Sequence, residues 1–225
     1  MIRAHLKHAT FFAALASTCV LMRQPPATGG EKGQIARMMN ESRVSLRDMS
    51  ASVTETINTL RQKYKVPVCF VSVSDEKQAA PELGDEEVNL RTALDEDVQA
   101  HNSYAYALVS DRLILHPKSG PFTKVVGRVH IRNVPRLEAM MAFVEHLKET
   151  HTEFGNLGGP GMKGDPRAPL YTDLVSLREE GTVLEHFAAL LGDDPNVVFS
   201  VVDGARPATR IVVLEQLKNE DATGK

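Results

Sequence analysis

The residues best equipped for chemistry lie scattered along this chain, and each is weighed by its spacing. His146 and His151 are five apart around a helix end. That separation puts the two imidazoles on different sides of a helix, whereas helical zinc pairs use spacings of three or four and recruit further ligands. His116 and His130 fall in strand-like segments and read as exposed strand polarity. The run from Gly155 to Asp165 is glycine-rich, as phosphate loops are. Such a loop needs Gly-Lys-Ser/Thr opening a helix, and here Lys163 is followed by Gly164, Asp165 and Pro166. A flexible surface loop is expected instead. Ser72, Ser74 and Ser176 lack the Gly-x-Ser-x-Gly frame of a nucleophile elbow. The acidic stretches Glu82 to Glu87 and Asp193-Asp194 lack the alternating ligands of a calcium loop. Cys69, alone in the apolar run Val66 to Val73, reads as a small buried hydrophobe. The residues thus assign no catalytic group, no cofactor and no metal.

Four arginines recur in one tetrapeptide, Val-x-(Leu/Ile)-Arg, ending at Arg47, Arg91, Arg132 and Arg178. Their spacings of 44, 41 and 46 residues are a sign of a repeated structural unit. Each Arg follows a short strand-like segment, where it is expected to shield a sheet edge with its stem on apolar surface. The alternative is a cation repeated on a partner surface.

These residues sit in an ordinary globular composition, 42% hydrophobic and 24% charged, with a net charge of -3. A charge so small and so mixed in sign points away from nucleic acid, and with Trp absent there is little for base stacking. The N-terminus differs from the rest. Arg3 and Lys7 precede an uncharged apolar stretch, Ala9 to Met22, with Ala14-Leu15-Ala16 as a small-x-small cleavage site. Residues 1–24 therefore read as a secretory signal peptide, and the mature chain as exported, periplasmic or extracellular. Membrane attachment would require an uncleaved segment or lipidation of Cys19.

Residues 25–42 read as a linker. Arg43 to Met49 alternates like a strand. Ser52-Val53-Thr54-Glu55 is a capping box, and Val53, Ile57, Leu60 and Tyr64 recur at helical spacing up to Pro67. Val68 to Val73 reads as a strand, Asp75 to Glu87 as a loop, and Val88 to Leu90 as a strand. A second helix buries Leu90, Ala93, Leu94 and Val98. Tyr104 to Val109 and Arg112 to His116 form a hairpin turning at Ser110-Asp111. Lys124 to Val134 is expected as a strand, with Pro135 at the first helical position. Leu137, Met140, Met141, Val144 and Leu147 are expected as the next buried stripe. Thr152 to Pro169 reads as loop throughout, and Tyr171 to Leu177 as a strand. Val183, Phe187, Leu190 and Leu191 give a helix face. Val197 to Val202 and Arg210 to Leu214 form a second hairpin, and 218–225 is expected to be a disordered tail. The expected fold is α+β, two tandem small domains over 43–118 and 123–217, each strand-helix-strand-strand-helix-hairpin.

The first of these, with Val44 to Met49, Pro67 to Val73, Arg91-Thr92-Ala93-Leu94 and the hairpin to His116, resembles the secretin and TonB short N-terminal domain. Residues 125–216 resemble it less closely, and the first helix has Thr56-Ile57 where the family usually has Ala-Leu. The resemblance implies a non-enzymatic protein–protein interaction or assembly module of the bacterial cell envelope. Sheet edges offer such a module a binding mode, pairing with a partner strand of an envelope protein. The two hairpins are the candidate surfaces, with Tyr104, Tyr106, Leu108, Leu113, Leu115, Val198 and Val212 as the candidate residues. The alternative is an enzyme of unrecognised type with a site in a cleft between the halves.

Overall fold

The computed structural model describes residues 33–49, 52–72, 83–161, 165, 167–177, 180–203 and 209–217. The expected signal peptide, Cys19, the start of the linker, most of the loop before Glu87, Ser74, Arg178 and the tail lie outside these residues. The remaining linker carries a helix, α1 (Gln34–Glu41). Its Ile35 and Met39, one turn apart, are buried in the first-half core, and that burial makes a helix of a segment read as linker.

The first half continues with β1 (Arg43–Ser45), a 3₁₀ turn over Leu46–Met49, and α2 (Val53–Gln62). Ser52 caps α2, and the reciprocal bond from its backbone N–H to Glu55 Oε2 (3.1 Å) completes the capping box. Next come β2 (Val68–Val71), β3 (Glu87–Asn89) and α3 (Leu90–Ala100), which is capped by the Asn89 side chain. The half closes with β4 (Tyr104–Val109) and β5 (Arg112–Pro117). Ser110 and Asp111 both have left-handed φ, at 48° and 55°, as a two-residue hairpin that follows the strand twist requires. Asp111 Oδ1 also accepts the Ile35 N–H at 3.3 Å, tying the start of α1 to this turn.

The second half has β6 (Val125–Val126), β7 (Ile131–Pro135), α4 (Arg136–Thr150), β8 (Leu157–Gly161) and α5 (Pro169–Thr172). There follow β9 (Leu174–Leu177), β10 (Gly181–Thr182), α6 (Val183–Leu190), β11 (Val197–Asp203) and β12 (Arg210–Gln216). Five expectations change here, the first being that Tyr171 and Thr172 belong to α5, so the strand expected over 171–177 is β9 from Leu174 on. The strand expected over 124–134 is two strands, β6 pairing with β10 and β7 with β9. Pro135 stands at the N-cap of α4, one residue before its first turn. Met141 is exposed, while Ala139, Met140, Phe143, Val144 and Leu147 are buried, because Met141 lies about 100° around the helix from Met140. The segment 152–169 is not loop throughout: it contains β8, which closes the main sheet beside β12. A Cβ on Gly158 would lie 3.2 Å from Arg210 O and 3.2 Å from the Ile211 side chain. Glycine here permits the close backbone approach.

The fold is α+β. Six strands form the main sheet in the order β4-β5-β2-β11-β12-β8, and β1 pairs antiparallel with β3 as β7 does with β9. In each half the hairpin strands are antiparallel, and the second of them pairs in parallel with an earlier strand of its half, β5 with β2, which follows α2, and β12 with β8, which follows α4. The halves join where β2 runs parallel to β11. β4, β12 and β8 therefore point one way, and β5, β2 and β11 the other. Alternation along the strands separates two cores. Val68, Phe70, Leu113 and Leu115 pack with α1, α2 and α3. Cys69, Val71 and Ile114 face the other way and pack with α4 and α6.

Candidate functional site

Edge strands have half of their backbone polar groups unpaired within the sheet, and the main sheet ends on two strands of very different character. β8 reads Leu-Gly-Gly-Pro-Gly, and its ladder with β12 shifts register between Ile211 and Val213. Pro160 has no N–H to offer, and a bulged, glycine-rich edge is a poor template for further pairing. β4 reads Tyr-Ala-Tyr-Ala-Leu-Val and pairs with β5 without interruption over six residues.

The register decides which β4 peptide groups face outward. Lys118 N–H donates to Ser103 O at 2.8 Å just beyond the strand. Antiparallel pairs alternate between bonded and non-bonded, so Ala105, Ala107 and Val109 exchange bonds with His116, Ile114 and Arg112. Tyr106 and Leu108 then direct both N–H and C=O away from β5. Tyr104 directs its carbonyl there too, while its N–H donates to His101 O at 3.0 Å. Among the described residues, no strand pairs with this side. Leu108 is 43% exposed. Tyr106 is fixed from α3: its hydroxyl donates to Asp95 Oδ1 at 2.6 Å. Partial burial and that carboxylate push the phenol pKa up to about 12.

Of the candidate residues, Tyr104, Tyr106 and Leu108 lie on this edge. Leu113 and Leu115 are buried on β5, one strand inward. Val198 and Val212 are fully buried as well. The second hairpin is no edge, because β2 occupies the outer side of β11 and β8 the outer side of β12. Local pattern cannot distinguish the two hairpins, since strand neighbours are chosen by tertiary pairing.

The repeated arginines stay at the surface: Arg47, Arg91 and Arg132 are exposed. Val44 stands opposite Val88 in the first half, whereas Ile131 stands opposite Leu177 in the second. The tetrapeptides thus pair through their first positions in one half and their third positions in the other. Among the described residues, the buried arginines are Arg61, Arg112 and Arg136. Arg61 crosses the junction of the halves. Its Nε and Nη2 donate to Val68 O (2.9 and 2.6 Å), and Nη2 also reaches Phe199 O (3.4 Å) and Ser200 Oγ (3.0 Å). Arg112 spans the other face, donating to Val197 O and Gly192 O, both at 2.8 Å. Arg136 donates to Leu170 O at 2.8 Å and meets Asp173 Oδ2 at 3.3 Å. Burial lowers the pKa of all three guanidiniums. Gly192, with φ of 71°, lies where a Cβ would come 3.0 Å from Arg136 Nη2.

Asp97 is fully buried on α3, with His101 Nε2 at 3.6 Å. Neither carboxylate oxygen has a hydrogen-bond partner among the described residues, and burial pushes the Asp97 pKa up to about 7. A signal for both buried charges was present in the sequence. Arg61 follows Ile57 by one helical turn, and Asp97 follows Ala93, each on the apolar stripe of its helix.

His116, expected exposed, is buried, with Nδ1 2.8 Å from Pro117 O, and burial lowers its pKa. The reason is its side of β5, which it shares with Ile114 facing the second core. His130 is exposed, and His146 and His151 are part-exposed around the end of α4. Cys69 is buried as a free thiol, and burial raises its pKa. Ser72 borders a cavity of about 260 Å³ beside the segment joining the halves, also lined by Phe122, Thr123 and Arg210. The Arg210 guanidinium lies 5.3 Å from the Phe122 ring centroid. Among the described residues, no group of three or more His, Cys, Asp or Glu is placed to hold a metal ion. No helix there is long and apolar enough to cross a membrane. Comparison with protein-family models, with curated proteins and with solved structures gives no match.

Proposed function

We propose that this chain is an exported, non-enzymatic protein–protein interaction or assembly module of the bacterial cell envelope, and that it binds a partner segment along β4. The observation that carries the binding mode is the contrast between the two ends of the sheet. β8 is blunted by glycine and proline, while β4 directs the Tyr106 and Leu108 peptide groups outward from an uninterrupted apolar strand. Backbone pairing at such an edge supplies affinity, and alternate side chains supply selectivity. The placement in the envelope draws on the leader-like N-terminus and on the resemblance of 43–118 to the secretin and TonB short N-terminal domain.

Site-specific photocrosslinking tests the reading. A photoreactive residue replaces Leu108 in the full chain, expressed in a bacterium with an outer membrane, and a matched probe replaces Gly159 on β8. The expected result is a discrete adduct to an envelope protein from position 108 and none from 159. Leu108→Pro, in a chain cross-linked from position 106, removes an outward N–H while leaving the bonds to β5 intact, and should abolish the adduct. Equal adducts from both edges, or none from β4, would refute the assignment.

A further inference from the structure

The chain already holds one occupied edge of the β4 kind. β11 stands in the second half where β4 stands in the first. Each opens its hairpin, and each is followed by a strand that pairs in parallel with an earlier strand of its own half, β5 with β2 after α2 and β12 with β8 after α4. The side of β4 that no strand pairs with among the described residues therefore corresponds to the side of β11 that β2 occupies. There the incoming strand runs parallel, with Phe70 opposite Ser200 and Val71 opposite Val201, and Ser72 N–H donates to Val201 O at 2.8 Å. The incoming strand is apolar, Val68-Cys69-Phe70-Val71, and every residue of it is buried. A strand runs into both cores at such a junction, so it must be apolar on both faces.

From this correspondence we propose that β4 receives, in parallel orientation, an apolar strand of the β2 kind from a partner protein, extending the main sheet by one strand. The proposal rests on the edge-binding reading above and adds the partner strand's direction and character. The backbone suits it. Tyr106 and Leu108 present outward groups two residues apart, the repeat a parallel ladder uses. The side chains suit it too, with Tyr106 and exposed Leu108 on one face and the small Ala105 and Ala107 on the other. A second copy of this chain offers a poor partner strand through its own far edge. β8 corresponds to β2, but Pro160 lacks the N–H and Gly158, Gly159 and Gly161 carry no side chains to bury.

The probe is a synthetic peptide with the Val66–Ser72 sequence, Cys69 replaced by Ser, and a nitroxide at its N-terminus. It is titrated into the isotope-labelled full chain and read by amide NMR. A parallel strand should shift the Tyr106 and Leu108 amides and broaden Tyr104 more than Asp111, with Gly159 unmoved. Leu108→Pro, checked for unchanged fold by the positions of its other amides, should lose these responses. Stronger broadening at Asp111 means antiparallel pairing, which overturns this proposal while the edge-binding reading stands. No response along β4 overturns the proposal as well, and a response confined to β8 or the hydrophobic cores does the same. An adduct at position 108 in the photocrosslinking experiment together with a silent peptide titration would leave edge binding intact and remove the β2-like strand as its ligand.

Discussion

Replacing Asp97 by Asn should change how stability depends on pH, in a direction that the buried carboxyl dictates. The folded chain holds this group protonated up to about pH 7, against a reference value of 3.8. A group whose folded pKa is raised contributes stability that is fully present below the unfolded pKa and is lost as pH rises through the folded one. The shift of about three units corresponds to about 4 kcal/mol, of which about 2–3 kcal/mol falls between about pH 5 and about pH 8. Asn keeps the shape and cannot ionise. Its amide also needs partners in a buried site, a cost of about 1–3 kcal/mol that does not vary with pH. The difference between wild type and Asp97→Asn, measured by urea unfolding at both pH values, therefore isolates the ionisation. The variant should gain about 2–3 kcal/mol relative to wild type on going from the lower pH to the higher. His101 lies 3.6 Å away, and an imidazolium there would stabilise the carboxylate and flatten the slope. Repeating the pair of measurements in a His101→Gln background separates that contribution. Parallel stability curves for wild type and Asp97→Asn in both backgrounds would refute the argument that burial keeps this carboxyl protonated.

Two further outcomes follow from the junction and from the blunted edge. Arg61→Met should destabilise the fold by about 2–4 kcal/mol, because the guanidinium serves buried carbonyls of both β2 and β11 and a lost charged donor leaves them unsatisfied; urea unfolding reads this, and a change below about 0.5 kcal/mol would mean that the contacts contribute little. Gly158→Ala should cost about 1–2 kcal/mol through the contact with Arg210 O, whereas Gly159→Ala, with nothing within 4 Å of its Cβ, should stay within about 0.5 kcal/mol. Thermal unfolding of the two variants side by side tests this, and equal losses would show that β8 does not press on β12 as described.

Much of the local structure was legible because it rests on short-range chemistry. The Ser52–Glu55 capping box starts α2, Leu90, Ala93 and Leu94 line α3, and Ser110-Asp111 turns the β4–β5 hairpin. The less legible elements depend on remote partners. The glycines of β8 read as loop because they have no side-chain alternation, and only the neighbouring β12 makes a strand of them. Ile35 and Met39 are too few to announce a helix until the first-half core covers them. The repeated arginines stand out by their spacing, whereas the buried Arg61 and Asp97 show only as single charges interrupting apolar helix stripes.

The amino-acid sequence by itself determined the α+β class, the capped helix α2, the apolar stripe of α3 and the two hairpins, because caps, turns and apolar periodicity act within a few residues. Only the tertiary structure decided that the halves share one sheet, that Arg61 and Arg112 secure its two faces, and that one hairpin is enclosed while the other has, among the described residues, one unpaired edge. Strand pairing joins residues more than 100 apart, such as Val71 and Val201, and no local pattern encodes which edge meets which. The candidate site is the edge that this pairing leaves open among the described residues.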